Sequence, residues 1–214
     1  LYRRNRLMGL RLARKLLAFH RKHPKTKIYI VAYSGGAGIA VFACEALKHR
    51  PIIETLVLAC PAISPHYNLA PALRNVGRAY ALVSHKDRYL LGIGTRTFGT
   101  TDRVFTQAAG RKRFRIPAGA SDADRLAYER MGEICWSPAL KQVRHHGGHT
   151  GWLMVPLLEA HLIPILRGQP QLPVEPVQAE SEPRANPCDQ ARSAPFPVSD
   201  GFSGPTREPG DMLQ

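Results

Sequence analysis

Apolar residues near the start of the chain recur at helical spacing. Leu7, Met8, Leu10, Leu12, Leu16, Leu17 and Phe19 alternate with Arg and Lys, which predicts an amphipathic helix over residues 3–22 that ends before Pro24. A basic amphipathic helix can lie on a membrane, but a half-apolar face more commonly covers a sheet, and that is the reading taken here. The run 27–32, Lys-Ile-Tyr-Ile-Val-Ala, is β-branched and aromatic and reads as a buried strand. Residues 33–38 turn into an apolar helix over 39–47, stopped by His49-Arg50-Pro51. A second strand is expected at 55–59, closed by Pro61, then a short helix within 68–76 and a third strand at 79–83. From 86 to 137 the pattern weakens. Gly92, Gly94 and Gly99 mark loops there, and Ser121 with Asp124 caps a helix running to about Glu133. A last strand is expected at 141–144, before His145-His146-Gly147-Gly148-His149, and 152–166 reads as a mostly apolar helix with Pro156 near its start and Pro164 near its end. Strands separated by helices need parallel crossovers, so the predicted class is α/β, a parallel sheet of about four strands flanked by helices.

Composition changes this picture at one place. The chain has 214 residues, enough for one domain, and nine of its 18 prolines fall at or beyond Pro170. The expected organisation is therefore a folded body over 1–168 and a Pro-rich disordered tail over 169–214. The tail holds three arginines against seven acids, so a net charge of +14 for the whole chain leaves +18 on the body. Such a surplus suits an anionic partner or a solvated basic face. The densest basic run, Arg111-Lys112-Arg113-Phe114-Arg115, lacks the pattern of an RNA-binding sheet, so nucleic acid is not the expected partner. Cys44, Cys60, Cys135 and Cys188 have neither paired nor metal-type spacing, which points to a reducing, cytoplasmic setting. No apolar run is long enough to span a membrane.

The stretch Ala32-Tyr33-Ser34-Gly35-Gly36 lies between the first strand and the apolar helix. A serine at the apex of a tight strand-to-helix turn needs small neighbours two positions away, and Ala32 and Gly36 meet that requirement. The Gly35 N–H would then face a developing oxyanion. A phosphate-binding reading fails: counted from Gly36 the dinucleotide pattern ends on Val41, counted from Gly35 its second glycine is Ala37, and no Gly-Lys-Ser/Thr follows. A purely structural glycine turn is the other reading. A serine hydroxyl needs a base and the base an orienting acid. The candidates are Asp87, four residues past the third strand, with Asp102 in a glycine-bounded loop as the rival acid, and His149, reached through Gly147-Gly148, with His145 and His146 as competitors. His66, His85 and His161 have no comparable setting, and Trp152 reads as core or pocket wall.

The serine turn resembles the nucleophile elbow of the α/β-hydrolase superfamily, Gly-x-Ser-x-Gly, with Ala32 replacing the first glycine. The likeness covers roughly residues 5–166 and the last four strands of the family's sheet, so the chain is read as a partial α/β-hydrolase fold, truncated at its N-terminus. It implies a serine hydrolase of the esterase or lipase kind, with Ser34 as nucleophile, His149 as base, Asp87 as acid and Gly35 as oxyanion donor, acting on a small ester or related acyl substrate without a metal or organic cofactor. Acyl transfer to another acceptor would use the same residues. In the family a second oxyanion donor follows the third strand, and no segment here corresponds to it; one such donor is worth about 10² to 10³ in turnover. The alternative is accordingly a weak or inactive hydrolase-fold module whose basic surface binds anionic partners.

Overall fold

The computed structural model describes residues 2–48 and 50–180. The chain opens with helix α1 (Tyr2–Lys22), followed by strand β1 (Ile28–Tyr33), helix α2 (Gly35–Ala46), strand β2 (Ile53–Ala59), the single turn α3 (Ala70–Leu73) and strand β3 (Val76–Val83). A π-helical turn at Tyr89–Gly94 leads into α4 (Thr95–Phe98), then α5 (Ala109–Lys112), β4 (Arg115–Ile116), α6 (Asp122–Tyr128) and β5 (Met131–Cys135). Two 3₁₀ turns, Pro138–Val143 and His149–Leu153, precede a helical run made of α7 (Val155–Leu157), a π turn (Leu158–Leu162) and α8 (Ile163–Leu166). Two short strands, β6 (Glu175–Pro176) and β7 (Gln178–Ala179), end the described part.

The main sheet has the order β1-β2-β3-β5-β6. Its first four strands are parallel, and β6 adds an antiparallel edge. This is an α/β fold with a mostly parallel five-stranded sheet flanked by helices. Side chains alternate along β2: Leu56 and Leu58 join a core with Val41, Phe42, Leu73 and Tyr128, whereas Val57 and Ala59 join one with Trp136, Trp152, Leu157 and Ile165. Each face of the sheet is thus covered. Helix α1 packs on α2 through a close crossing at Gly9, where an added Cβ would lie 2.6 Å from that of Phe42. Leu7, Leu10 and Phe19 stay exposed on it.

The fourth parallel strand is not the one the pattern predicts. Residues 141–143 belong to a 3₁₀ turn that Arg144 caps; Leu140 in it is buried and Lys141, Gln142 and Arg144 are exposed, too few apolar positions for a buried strand. The strand is β5 instead, and α6 ends at Tyr128 rather than near Glu133. Glu133 hides it, because a carboxylate inside a sheet defies the apolar pattern. Its side chain has no exposure, and its oxygens accept hydrogen bonds from Arg113 Nε and the Phe114 N–H, each at 2.7 Å. Arg113 Nη1 also reaches Glu175 at 2.7 Å and so ties β6 to the same centre.

Part of the segment after 168 packs against the body. Val174 lies over Gly132, where an added Cβ would come within 2.2 Å of it, and β6 and β7 pair with β5 and β4. Residues 181–214, the rest of the expected tail, lie outside the described residues. The predicted helix over 152–166 is broken into 3₁₀, α and π segments.

Glu133 makes a sharp test of this edge. Truncating one member of a buried ion pair strands the other, which costs about 3–5 kcal/mol. Glu133→Ala should lower the urea midpoint by a corresponding amount, whereas Glu54→Ala, at an exposed pair with Lys27, should shift it by no more than about 1 kcal/mol.

Candidate active site

Ser34 follows the last residue of β1 and precedes the first of α2. Its N–H continues the sheet by donating to Ala59 O at 2.9 Å, and its carbonyl accepts from Ala37 and Ala62 N–H at 3.1 Å each. Between these fixed ends Ser34 takes φ 53° and ψ −122°, a left-handed conformation that a non-glycine residue adopts only where its surroundings over-determine it. The turn is as sharp as the sequence suggests, but close contact at position 36 is not the reason for its glycine: a Cβ on Gly35 or Gly36 would meet nothing within 4 Å. The tight approach is at Gly38, whose added Cβ would lie 2.4 Å from Thr101. The space over the N-terminus of α2 is open, and its first N–H groups have no intrahelical acceptor.

Ser34 Oγ lies 3.0 Å from His149 Nε2, and His149 Nδ1 contacts Asp87 Oδ2. A carboxylate only accepts, so it fixes the proton on Nδ1 and leaves Nε2 bare to accept from the serine hydroxyl. Asp87 is buried just past β3, and its other oxygen accepts from the Leu91 N–H at 3.4 Å. Three residues separated by up to 115 positions are thus hydrogen-bonded in series at the carboxyl edge of the sheet.

The rival residues lie elsewhere. Asp102 turns its Oδ1 to the Ser64 N–H at 2.9 Å and to Thr100 Oγ1, organising its own loop. His146 is exposed, and His66 pairs with Glu180 at 3.1 Å. His161 is half-buried on the terminal helical run, and His85 packs edge-on against Trp136.

His145 is fully buried and holds the loop that delivers His149. Its ring sits edge-on against Trp152 with centroids 4.6 Å apart, and its Nδ1 accepts from the Gly147 N–H at 3.2 Å. Gly151 must be a glycine, since its Cβ would fall 1.7 Å from that nitrogen. Ser84 Oγ donates to Gly147 O at 2.6 Å, and Gly147 takes φ +92°. Burial, aided by His146, lowers the His145 pKa to about 4.

Two further side chains border the site. The Tyr33 ring packs 4.9 Å from the His149 imidazole, and burial, with the nearby Cys60 and Asp87 groups, pushes its phenol up to about 12. Cys60, buried at the end of β2, donates from Sγ to His149 O at 3.4 Å. The sequence reading gave neither a role; the one signal for them was position, since Tyr33 adjoins the serine and Cys60 follows the neighbouring strand end.

Comparison with protein-family models, with curated proteins and with solved structures finds no match for this chain.

A histidine buried neutral destabilises the fold once it must charge. Because the folded-state pKa of His145 lies below its ordinary 6.5, its contribution is complete above that pH and is lost as pH falls toward 4. The stability of the chain should therefore decline across this window, and His145→Phe should flatten the slope by about one proton in pH-dependent urea titrations.

Proposed function

We propose that the chain is a serine hydrolase acting on an ester or related acyl substrate through Ser34, His149 and Asp87, in the manner of the α/β-hydrolase superfamily. The observation that carries this reading is the 3.0 Å contact of Ser34 Oγ with an imidazole nitrogen whose partner nitrogen is held by a buried carboxylate. The strained backbone of Ser34 supports it, since left-handed non-glycine residues concentrate where function requires them.

The chemistry follows from the placement of protons. Ser34 Oγ attacks the acyl carbon while its proton passes to His149 Nε2, and the imidazolium so formed is stabilised by Asp87. Negative charge gathers on the former carbonyl oxygen, for which the Gly35 N–H is the proposed donor; the N-terminus of α2 favours an anion there. His149 returns the proton to the leaving group as the tetrahedral intermediate collapses. A water deprotonated by the same nitrogen then attacks the acyl-serine and frees the acid. With an alcohol or amine in place of water, the same steps are acyl transfer.

Each role has a separate expectation. A fluorophosphonate probe should label the chain at Ser34, and Ser34→Ala should abolish labelling and lower ester turnover by roughly 10⁴ to 10⁶. Labelling that persists in Ser34→Ala would exclude this serine as the nucleophile.

The two carboxylates should separate cleanly. Asp87→Asn presents an amide where Nδ1–H needs an acceptor and should cost about 10⁴ in turnover with little loss of stability. Asp102→Asn should do the reverse, weakening the fold by about 1–2 kcal/mol in thermal melts while turnover stays within about tenfold.

A further inference from the structure

Cys60 has no role in these steps, yet its position is constrained. It follows Ala59 at the carboxyl end of β2 with φ 46°, and its side chain has no exposure to solvent. Its Sγ, an oxygen of Asp87 and a ring nitrogen of His149 all lie within 4.8 Å of one another. These atoms offer one sulfur, one oxygen and one nitrogen donor from three separate elements.

We propose that Cys60, Asp87 and His149 form a binding site for a thiophilic divalent cation, of which Zn²⁺ fits best, and that filling it switches the hydrolysis off. The inhibitory part rests on the triad reading; the binding part does not. Mixed sulfur, nitrogen and carboxylate donors suit Zn²⁺, whereas Mg²⁺ and Ca²⁺ demand oxygen. Bond lengths of about 2.0–2.3 Å in a tetrahedron place donors about 3.5 Å apart. The cluster would close on the cation by shifts of about 1 Å, while Asp87 and Nδ1 move apart to admit it.

The site fills at the expense of protons. The S–H bond of Cys60 breaks, a sulfur–metal bond forms and one proton leaves to solvent. Because a proton leaves as the metal binds, affinity should rise with pH. On His149 the metal takes Nδ1, the nitrogen that faces Asp87, and the ring's single proton moves to Nε2. That nitrogen must be bare to accept from Ser34, so a metal on one side of the ring blocks the base on the other. Inhibition then needs no contact between metal and substrate.

Co²⁺ titration of the full chain carrying Cys188→Ser provides a direct readout. A thiolate-to-cobalt charge-transfer band should appear, with release of one proton, and Zn²⁺ should displace it. Cys60→Ala should abolish the band, as should the closer match in size Cys60→Ser should the alanine variant fail to fold. In parallel, Zn²⁺ should inhibit ester turnover and a chelator restore it. For Cys60→Ala, measured against its own metal-free rate, the Zn²⁺ needed should rise by more than the roughly 10–100-fold that loss of an outer partner costs. Ser34→Ala should lose turnover and keep the band, which separates the two readings. A band without turnover in the parent chain would defeat the hydrolase reading and leave the site standing. Turnover without a band, or a band that survives both Cys60 variants, would overturn the metal site; a band with Zn²⁺-insensitive turnover would overturn its inhibitory role.

Discussion

The contact between Ser34 Oγ and His149 Nε2 is where the two halves of the molecule meet. The serine is delivered by β1 and α2 near the start of the chain, and the histidine by a loop that follows β5. Neither half specifies the distance. It is set by the sheet, because parallel strands joined by right-handed crossovers bring all their carboxyl ends to one edge. Each support around the pair preserves that distance. On one side, Ser34 is clamped by hydrogen bonds to Ala59, Ala37 and Ala62. On the other, His145, Gly151, Ser84 and Cys60 hold the loop and backbone that carry His149.

The buried carboxylates Glu133 and Asp87 each have both oxygens engaged. Glu133 has no exposure, but its two oxygens are both engaged, and the guanidinium that satisfies it extends the sheet by one strand through Glu175. Asp87 follows the same logic beside His149. Unpaired, either carboxylate would cost more than the core around it returns. The same condition makes the proposed site sensitive: the carboxylate and imidazole that orient a proton are also good metal ligands, and a neighbouring thiol supplies the third.

Openness at the N-terminus of α2 contrasts with this crowding. The backbone at Gly35 and Gly36 faces free space, while Gly38, two residues on, is pressed against Thr101. Crowding fixes the turn, and in the proposed reaction the open space beside it would receive the acyl group. The loop bearing Thr101 is in turn held by Asp102, which gives that carboxylate a structural task distinct from that of Asp87.

Local pattern was enough for the elements whose burial repeats with a simple period. The helix at 2–22, the strands at 28–33 and 53–59 and the sharp turn at Ser34 were all legible, since their side chains either alternate or recur by helical spacing. Ser34, Asp87 and His149 stood out because strand ends and glycine approaches are local features too. The strand at 131–135 was not legible, because its buried glutamate becomes acceptable only when Arg113 and Phe114 arrive from 20 and 19 residues away. The strands at 175–179 were hidden likewise: prolines argue against a ladder, and only an edge beside Gly132 accommodates them. Pattern favoured Asp87 over Asp102 by its closeness to the third strand and His149 over His145 by its Gly-Gly approach, but it did not give their contacts. Each depends on which groups face one another once the chain has closed, and that is a property of distances between residues the sequence keeps far apart.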